Sequence, residues 1–157
     1  MEPFDFIEIR VPAKAEYVGV VRLSTSGIAN RMGFSYEEIE DLKVAISEAM
    51  SNATTHAYDG KDGEVTIGYG LYQDRLEVMV ADRGESFDLN QVKDGLGPYK
   101  ENQSVEDLRE GGFGLFLIEA LMDKVEIKSE YGVIVLMTKY LHENEVDLDG
   151  DQISTTQ

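Results

Sequence analysis

The sequence predicts an α+β fold, a two-layer α/β sandwich whose mixed, mainly antiparallel sheet carries its helices on one face. Three observations predict it. Short runs alternate apolar with polar residues, the period of a half-buried strand, while other runs repeat apolar residues every three or four positions, the period of a helix packed by one face. The two kinds of run are mixed along the chain without strict alternation. Consecutive strand-like runs are joined by short turns, which makes them antiparallel neighbours.

Each element follows in order. Phe6 to Val11 sets Ile7, Ile9 and Val11 against Glu8 and Arg10, a strand that Pro12 ends. From Glu16 to Met32, Tyr17, Val20, Val21, Ile28 and Met32 indicate a helix, although Gly19, Ser24, Thr25, Ser26 and Gly27 lower its propensity. Ser35 and Glu38 have the spacing of a capping box, and Ile39, Leu42, Ile46, Ala49 and Ala53 carry a second helix to Ala57. A turn over Asp59 to Gly63 precedes a strand with Val65, Ile67, Tyr69 and Leu71 on one face. Tyr72 to Arg75 turns into a strand with Leu76, Val78 and Val80 on one face. Glu85 to Gly112 has little periodicity and reads as a long loop, of a kind that is functional or mobile. An apolar helix over Phe113 to Met122, a strand over Val125 to Ser129, a turn at Tyr131 and Gly132, and a strand over Val133 to Leu141 complete the sheet. Domain boundaries follow: residues 1–141 form one domain and 142–157 an acidic tail expected to be disordered. With the helices on one side, the opposite sheet face requires some other cover.

The chain has 157 residues, 42% hydrophobic and 29% charged, enough apolar material for one core and too much for a disordered acidic tract. Its 14 Lys and Arg against 31 Asp and Glu leave a net charge of −17, which opposes direct binding to nucleic acid or anionic membranes. The absence of cysteine removes disulfides, zinc thiolate sites and thiol nucleophiles. No apolar run approaches the ~20 residues that span a bilayer. Met1 to Val11 lacks the basic start and cleavage site of a secretory signal. A cytoplasmic location is expected.

Three groups of residues carry chemistry. Glu48 and Asn52 lie four apart on the second helix, so their side chains share a face. A carboxylate and an amide oxygen so placed suit a proton acceptor beside a hard divalent cation such as Mg²⁺; solvated bystanders are the competing reading. Asp82 continues the in-facing series Leu76, Val78, Val80, and Gly84 and Phe87 follow it. A buried carboxylate there accepts from the exocyclic amine of adenine and rejects guanine; the alternative is a turn aspartate capping Gly84 and Glu85. Gly111, Gly112 and Gly114 stand at the mouth of an apolar helix, whose free amides and positive dipole end receive phosphate. An ordinary glycine-rich loop is the alternative. The P-loop Lys and Ser/Thr are missing, and no strand immediately precedes the glycines as a Rossmann site requires. His56, at the helix end, is read as satisfying terminal carbonyls rather than accepting phosphate.

In combination, the order Glu-x-x-x-Asn helix, strand-end Asp-x-Gly, long loop and Gly-x-Gly-Leu helix resembles the Bergerat-type (GHKL) ATP-binding domain. The stretches SEAMSNATTHAY, VADRGESFD and EGGFGLFLIEALMD look like the bacterial anti-sigma factor serine kinases of the RsbW type, over nearly the whole chain to Leu141. That resemblance implies Glu48 as general base, Asn52 as Mg²⁺ ligand, Asp82 as adenine reader and Gly84 as the glycine of the adenine pocket. It implies Gly112 and Gly114 in the phosphate loop, Thr138 as an adenine contact through water, and residues 88–111 as the ATP lid. The expected cofactors are ATP and Mg²⁺. The expected partners are a stress-response sigma factor, which the protein inhibits, and an anti-anti-sigma factor, which it phosphorylates on serine; the chain itself is expected as a homodimer. An ATP-dependent clamp without catalysis and a detached histidine kinase catalytic domain are the alternatives.

Overall fold

The computed structural model describes residues 3, 5–56, 63–82, 97–98, 111–128 and 134–142. Six strands form one sheet in the order β1-β2-β3-β6-β5-β4: β1 (Asp5–Pro12), β2 (Glu64–Leu71), β3 (Arg75–Ala81), β4 (Gly97–Pro98), β5 (Lys124–Lys128) and β6 (Ile134–Tyr140). All of these pairings are antiparallel, so among the described residues the expected mixed sheet is a purely antiparallel one. β4 falls inside the stretch read as loop. Its two residues, a glycine and a proline, are too few to show a period.

The helices are α1 (Val18–Met32), entered through a 3-10 turn at Ala15–Tyr17, α2 (Tyr36–His56) and α3 (Gly111–Leu121). Gly33 ends α1 in the left-handed region at φ 95°, which lets the Phe34 N–H reach back to the Ala29 carbonyl at 3.2 Å. The predicted capping box opens α2. The Ser35 N–H donates to Glu38 Oε1 at 2.9 Å and the Glu38 N–H to Ser35 Oγ at 3.2 Å. His142, just past β6, adds its Nδ1 3.2 Å from the other Glu38 oxygen. α3 begins at Gly111, two residues before its apolar period does, because that period starts only at Phe113.

Register fixes the faces. Val11, Ile9 and Ile7 lie opposite Val65, Ile67 and Tyr69, and Val78 and Val80 opposite Met137 and Val135. With Leu42, Ile46, Ala49 and Met50 of α2 and Val21 and Ala29 of α1, most of these residues form the main core. Tyr69 also ties β2 to α1. Thr25 gives its one hydroxyl proton to the Val21 carbonyl at 2.8 Å, so the 2.7 Å contact between Thr25 Oγ1 and the Tyr69 hydroxyl has Tyr69 as donor. Burial pushes the Tyr69 phenol up to about 12. On the opposite sheet face Met79, Ala81, Ile134 and Leu136 form a second buried cluster, so the central strands exclude water on both sides.

Candidate active site

α2 is held close to the sheet and to α3 by small buried residues, Ala45, Ala49 and Ala53. One edge of that helix carries Glu48 and Asn52, both partly buried and about 6 Å apart along the axis. Among the described residues no hydrogen bond or ion pair engages either side chain, which leaves a carboxylate and an amide oxygen available to a ligand.

The orientation of α3 follows from one lysine. Lys139, buried on β6, donates from Nζ to the Leu121 carbonyl at 2.7 Å and lies 3.6 Å from Asp41 Oδ2. The carboxyl end of α3 therefore rests beside the first half of α2. The two helices pack along each other, and Asp41 to Asn52 spans nearly the same length as Leu121 back to Gly111, about 15 Å. The amino terminus of α3 thus comes alongside Glu48 and Asn52. Gly112 and Gly114 belong to its first turn, where backbone N–H groups lack helical acceptors and the dipole end is positive.

Asp82 directly follows β3 and keeps the parity of Leu76, Val78 and Val80, the face that meets the helices, where it is partly buried. Gly84, Phe87 and, apart from Gly97 and Pro98, the stretch 88–110 lie outside the described residues, as do the turns at 59–62 and 131–132, Ser129, Val133 and the tail beyond His142. His56 is the last residue of α2.

Thr138 stands apart from this arrangement. It lies opposite Glu77 on β3 and Lys124 on β5, one position out of phase with the core residue Met137. Its side chain therefore leaves the sheet on the side away from α2. Lys139 is the residue the sequence reading missed. Its signal was parity: it continues the in-facing series Val135, Met137, where a lysine requires a partner.

Hard oxygen donors suit Mg²⁺, and the described residues contain no group of three His, Cys, Asp or Glu able to cage a metal alone. A single amide oxygen sharing the ion with substrate phosphates fits this donor set.

A model of the histidine kinase-like ATPase domain family matches residues 11–139. Serine-protein kinase RsbW of Oceanobacillus iheyensis is 65% identical over 158 residues, covering 100% of both chains. Serine-protein kinase RsbW of Bacillus cereus ATCC 10987 is 56% identical over 155 residues, covering 99% of this chain and 97% of its own. The chain belongs to the RsbW family of serine-protein kinases. Its ATPase-type domain uses ATP, and its α+β fold matches the crystal structure of the RsbU and RsbW domains of Rv1364c from Mycobacterium tuberculosis. That likeness has a TM-score of 0.60 at 21% identity, over 87% of this chain and 32% of that one. No helix of the described residues is long and apolar enough to cross a membrane.

Proposed function

We propose that this RsbW-family kinase binds and inhibits a stress-response sigma factor, and transfers the γ-phosphoryl group of ATP to a serine of that factor's anti-anti-sigma antagonist. The observation that carries the reading is the pairing of Glu48 with Asn52 beside the amino terminus of α3. ATP binding by itself requires no base, so a carboxylate next to a metal ligand favours catalysis over a passive clamp.

In this reading Glu48 orients the acceptor serine and takes its proton as the oxygen bonds to the γ-phosphorus and ADP departs. Asn52 contributes its amide oxygen to Mg²⁺, which neutralises phosphate charge when bound. The first-turn amides of α3 at Gly112 and Gly114 receive phosphate oxygens. Asp82 accepts from the adenine amine, with Gly84 allowing the ring to approach. Residues 88–111 act as the lid, 1–141 as the working domain and 142–157 as an acidic tail. The protein works as a cytoplasmic homodimer, without direct contact to nucleic acid or membrane.

Incubation with labelled ATP and candidate partner proteins tests the reading. An acid-stable, alkali-labile phosphoserine on the antagonist is expected. Acid-labile phosphohistidine would instead indicate a detached histidine kinase domain, and nucleotide-dependent partner retention without transfer would indicate a clamp.

A further inference from the structure

In a chain of net charge −17, helix α1 carries two arginines and no carboxylate. Among the described side chains, Arg10, Lys43, Arg75, Lys124 and Lys139 each form an ion pair with an aspartate or glutamate. The described cations left without a partner are Lys14, Arg22 and Arg31, which lie on α1 or in the turn that leads into it, where Glu16 is the nearest acid in sequence. The strip between the two arginines is apolar. Leu23 is 75% exposed and Val20 48%, and a Cβ added at Gly19 or Gly27 would meet nothing within 4 Å, so the backbone there is open to close approach. Arg22 and Arg31 are two and a half turns apart, so they border this strip on opposite edges, about 13 Å from each other along the axis. An apolar strip edged by unpaired cations suits an acidic segment that also carries apolar side chains.

The chain supplies such a segment. Residues 143–151 hold Glu143, Glu145, Asp147, Asp149 and Asp151, with Val146 and Leu148 among them. Their point of attachment is beside α1. His142 Nδ1 lies 3.2 Å from one oxygen of Glu38, whose other oxygen accepts from the Ser35 N–H, two residues past the Gly33 that ends α1. The chain therefore leaves β6 next to the helix end that bears Arg31. Extended, residues 143–151 reach about 30 Å, and α1 is about 22 Å long, so the segment covers the distance from Arg31 to Arg22 with length to spare. Tethering also gives it a local concentration of roughly millimolar, which a separate acidic partner lacks.

We infer that the acidic segment 143–151 folds back over the outer face of α1 within its own chain, with carboxylates on Arg31 and Arg22 and with Val146 and Leu148 against Val20 and Leu23. The inference does not rest on the kinase reading. Because the chain has no cysteine, Gln152→Cys creates a single site for a nitroxide spin label. Amide spectra of the isotope-labelled full chain should then show broadening at Gly19, Leu23 and Gly27, lost when salt is raised to about 1 M, where charges are screened within about 3 Å. Arg22→Glu combined with Arg31→Glu should remove the broadening, and adding Asp147→Arg and Asp149→Arg should restore it. Unchanged amide positions across β2 and β3 establish that these variants are folded. Broadening that survives the arginine reversal, or that the charge exchange fails to restore, would overturn the inference. So would its absence, which would leave α1 open to a separate acidic partner. Refolding isotope-labelled chains without nitroxide together with unlabelled nitroxide-bearing chains separates one remaining occupant: broadening of α1 in that mixture means the segment of a second copy, and it too overturns folding back within one chain.

Discussion

At the scale of single residues, Glu48 and Tyr69 show how differently polar groups are used in this chain. Glu48 is left without a described partner, as a group meant to meet substrate is. Replacing it with Gln should leave ATP affinity nearly intact while slowing phosphoryl transfer by roughly 10²- to 10⁴-fold, the usual contribution of a positioned base. Single-turnover transfer rates, measured beside nucleotide titrations, check this. Equal rates would remove Glu48 from the chemistry. Tyr69 is the contrary case, since its hydroxyl is fully spent on Thr25. In Thr25→Val that donor is buried with no acceptor, which costs about 1–3 kcal/mol, whereas Tyr69→Phe removes donor and demand together and should cost less. Denaturant unfolding of both variants tests the order. The raised phenol also predicts a sign: a pKa higher in the folded state favours folding below the ordinary tyrosine value of 10.0, and that stability is lost as pH rises through about 12. Absorbance titration should show one tyrosine ionising late.

At the scale of elements, the start of α2 is the best example of local sequence deciding structure. The Ser35 and Glu38 spacing specified a reciprocal cap, and both of its bonds form. Ser35→Ala should cost about 0.5–2 kcal/mol. Burial alone would raise the Glu38 carboxyl, but its bonds to Ser35 and to His142 outweigh that and hold it below 4.5. A lowered carboxyl pKa stabilises the fold above its unfolded value, and the contribution disappears as pH falls through the folded one. The melting temperature of Glu38→Gln should therefore trail the parent near neutral pH and approach it in acid. Strand faces were equally legible, because a period of two needs only a few residues: Val65, Ile67, Tyr69 and Leu76, Val78, Val80 all face the helices. Both helix starts drifted. Glycine carries no hydrophobic signal, so Gly111 and Gly112 could not announce that α3 had begun, and the residues ahead of Val18 form a 3-10 turn that has the same apolar spacing on a short run.

At the scale of the whole molecule, the long-range arrangement was legible only through the family pattern. Nothing local brings α3 to lie against α2, and nothing local says that β6 inserts beside β3. Thr138 shows the limit: a family motif names a position on the last strand but not the face that position takes. Parity from Met137 would have put it on the far face. The excess of carboxylates acts at this scale too. A net charge of −17 repels ATP as it approaches, and added salt screens that repulsion. The association rate of nucleotide with Mg²⁺ should accordingly rise as ionic strength increases from low values, the reverse of a positively steered kinase. Stopped-flow binding across a salt series measures it, and a falling rate would mean that local positive potential at the α3 terminus dominates.

The grip of Lys139 has a mechanical consequence. One ammonium group on the sheet holds the last carbonyl of α3 and faces a carboxylate of α2. Sliding α3 along its axis stretches the 2.7 Å bond at once, whereas rotation about Leu121 leaves it in place. The helix is thus a lever with its fulcrum at the carboxyl end, and its free arm is the glycine-bearing turn. A tilt of 10° moves that tip by roughly 2.5 Å, given about 15 Å of arm. Leu115 and Ile118 of the same helix are buried in the main core, so a tilt of the glycine-bearing tip is felt there as well.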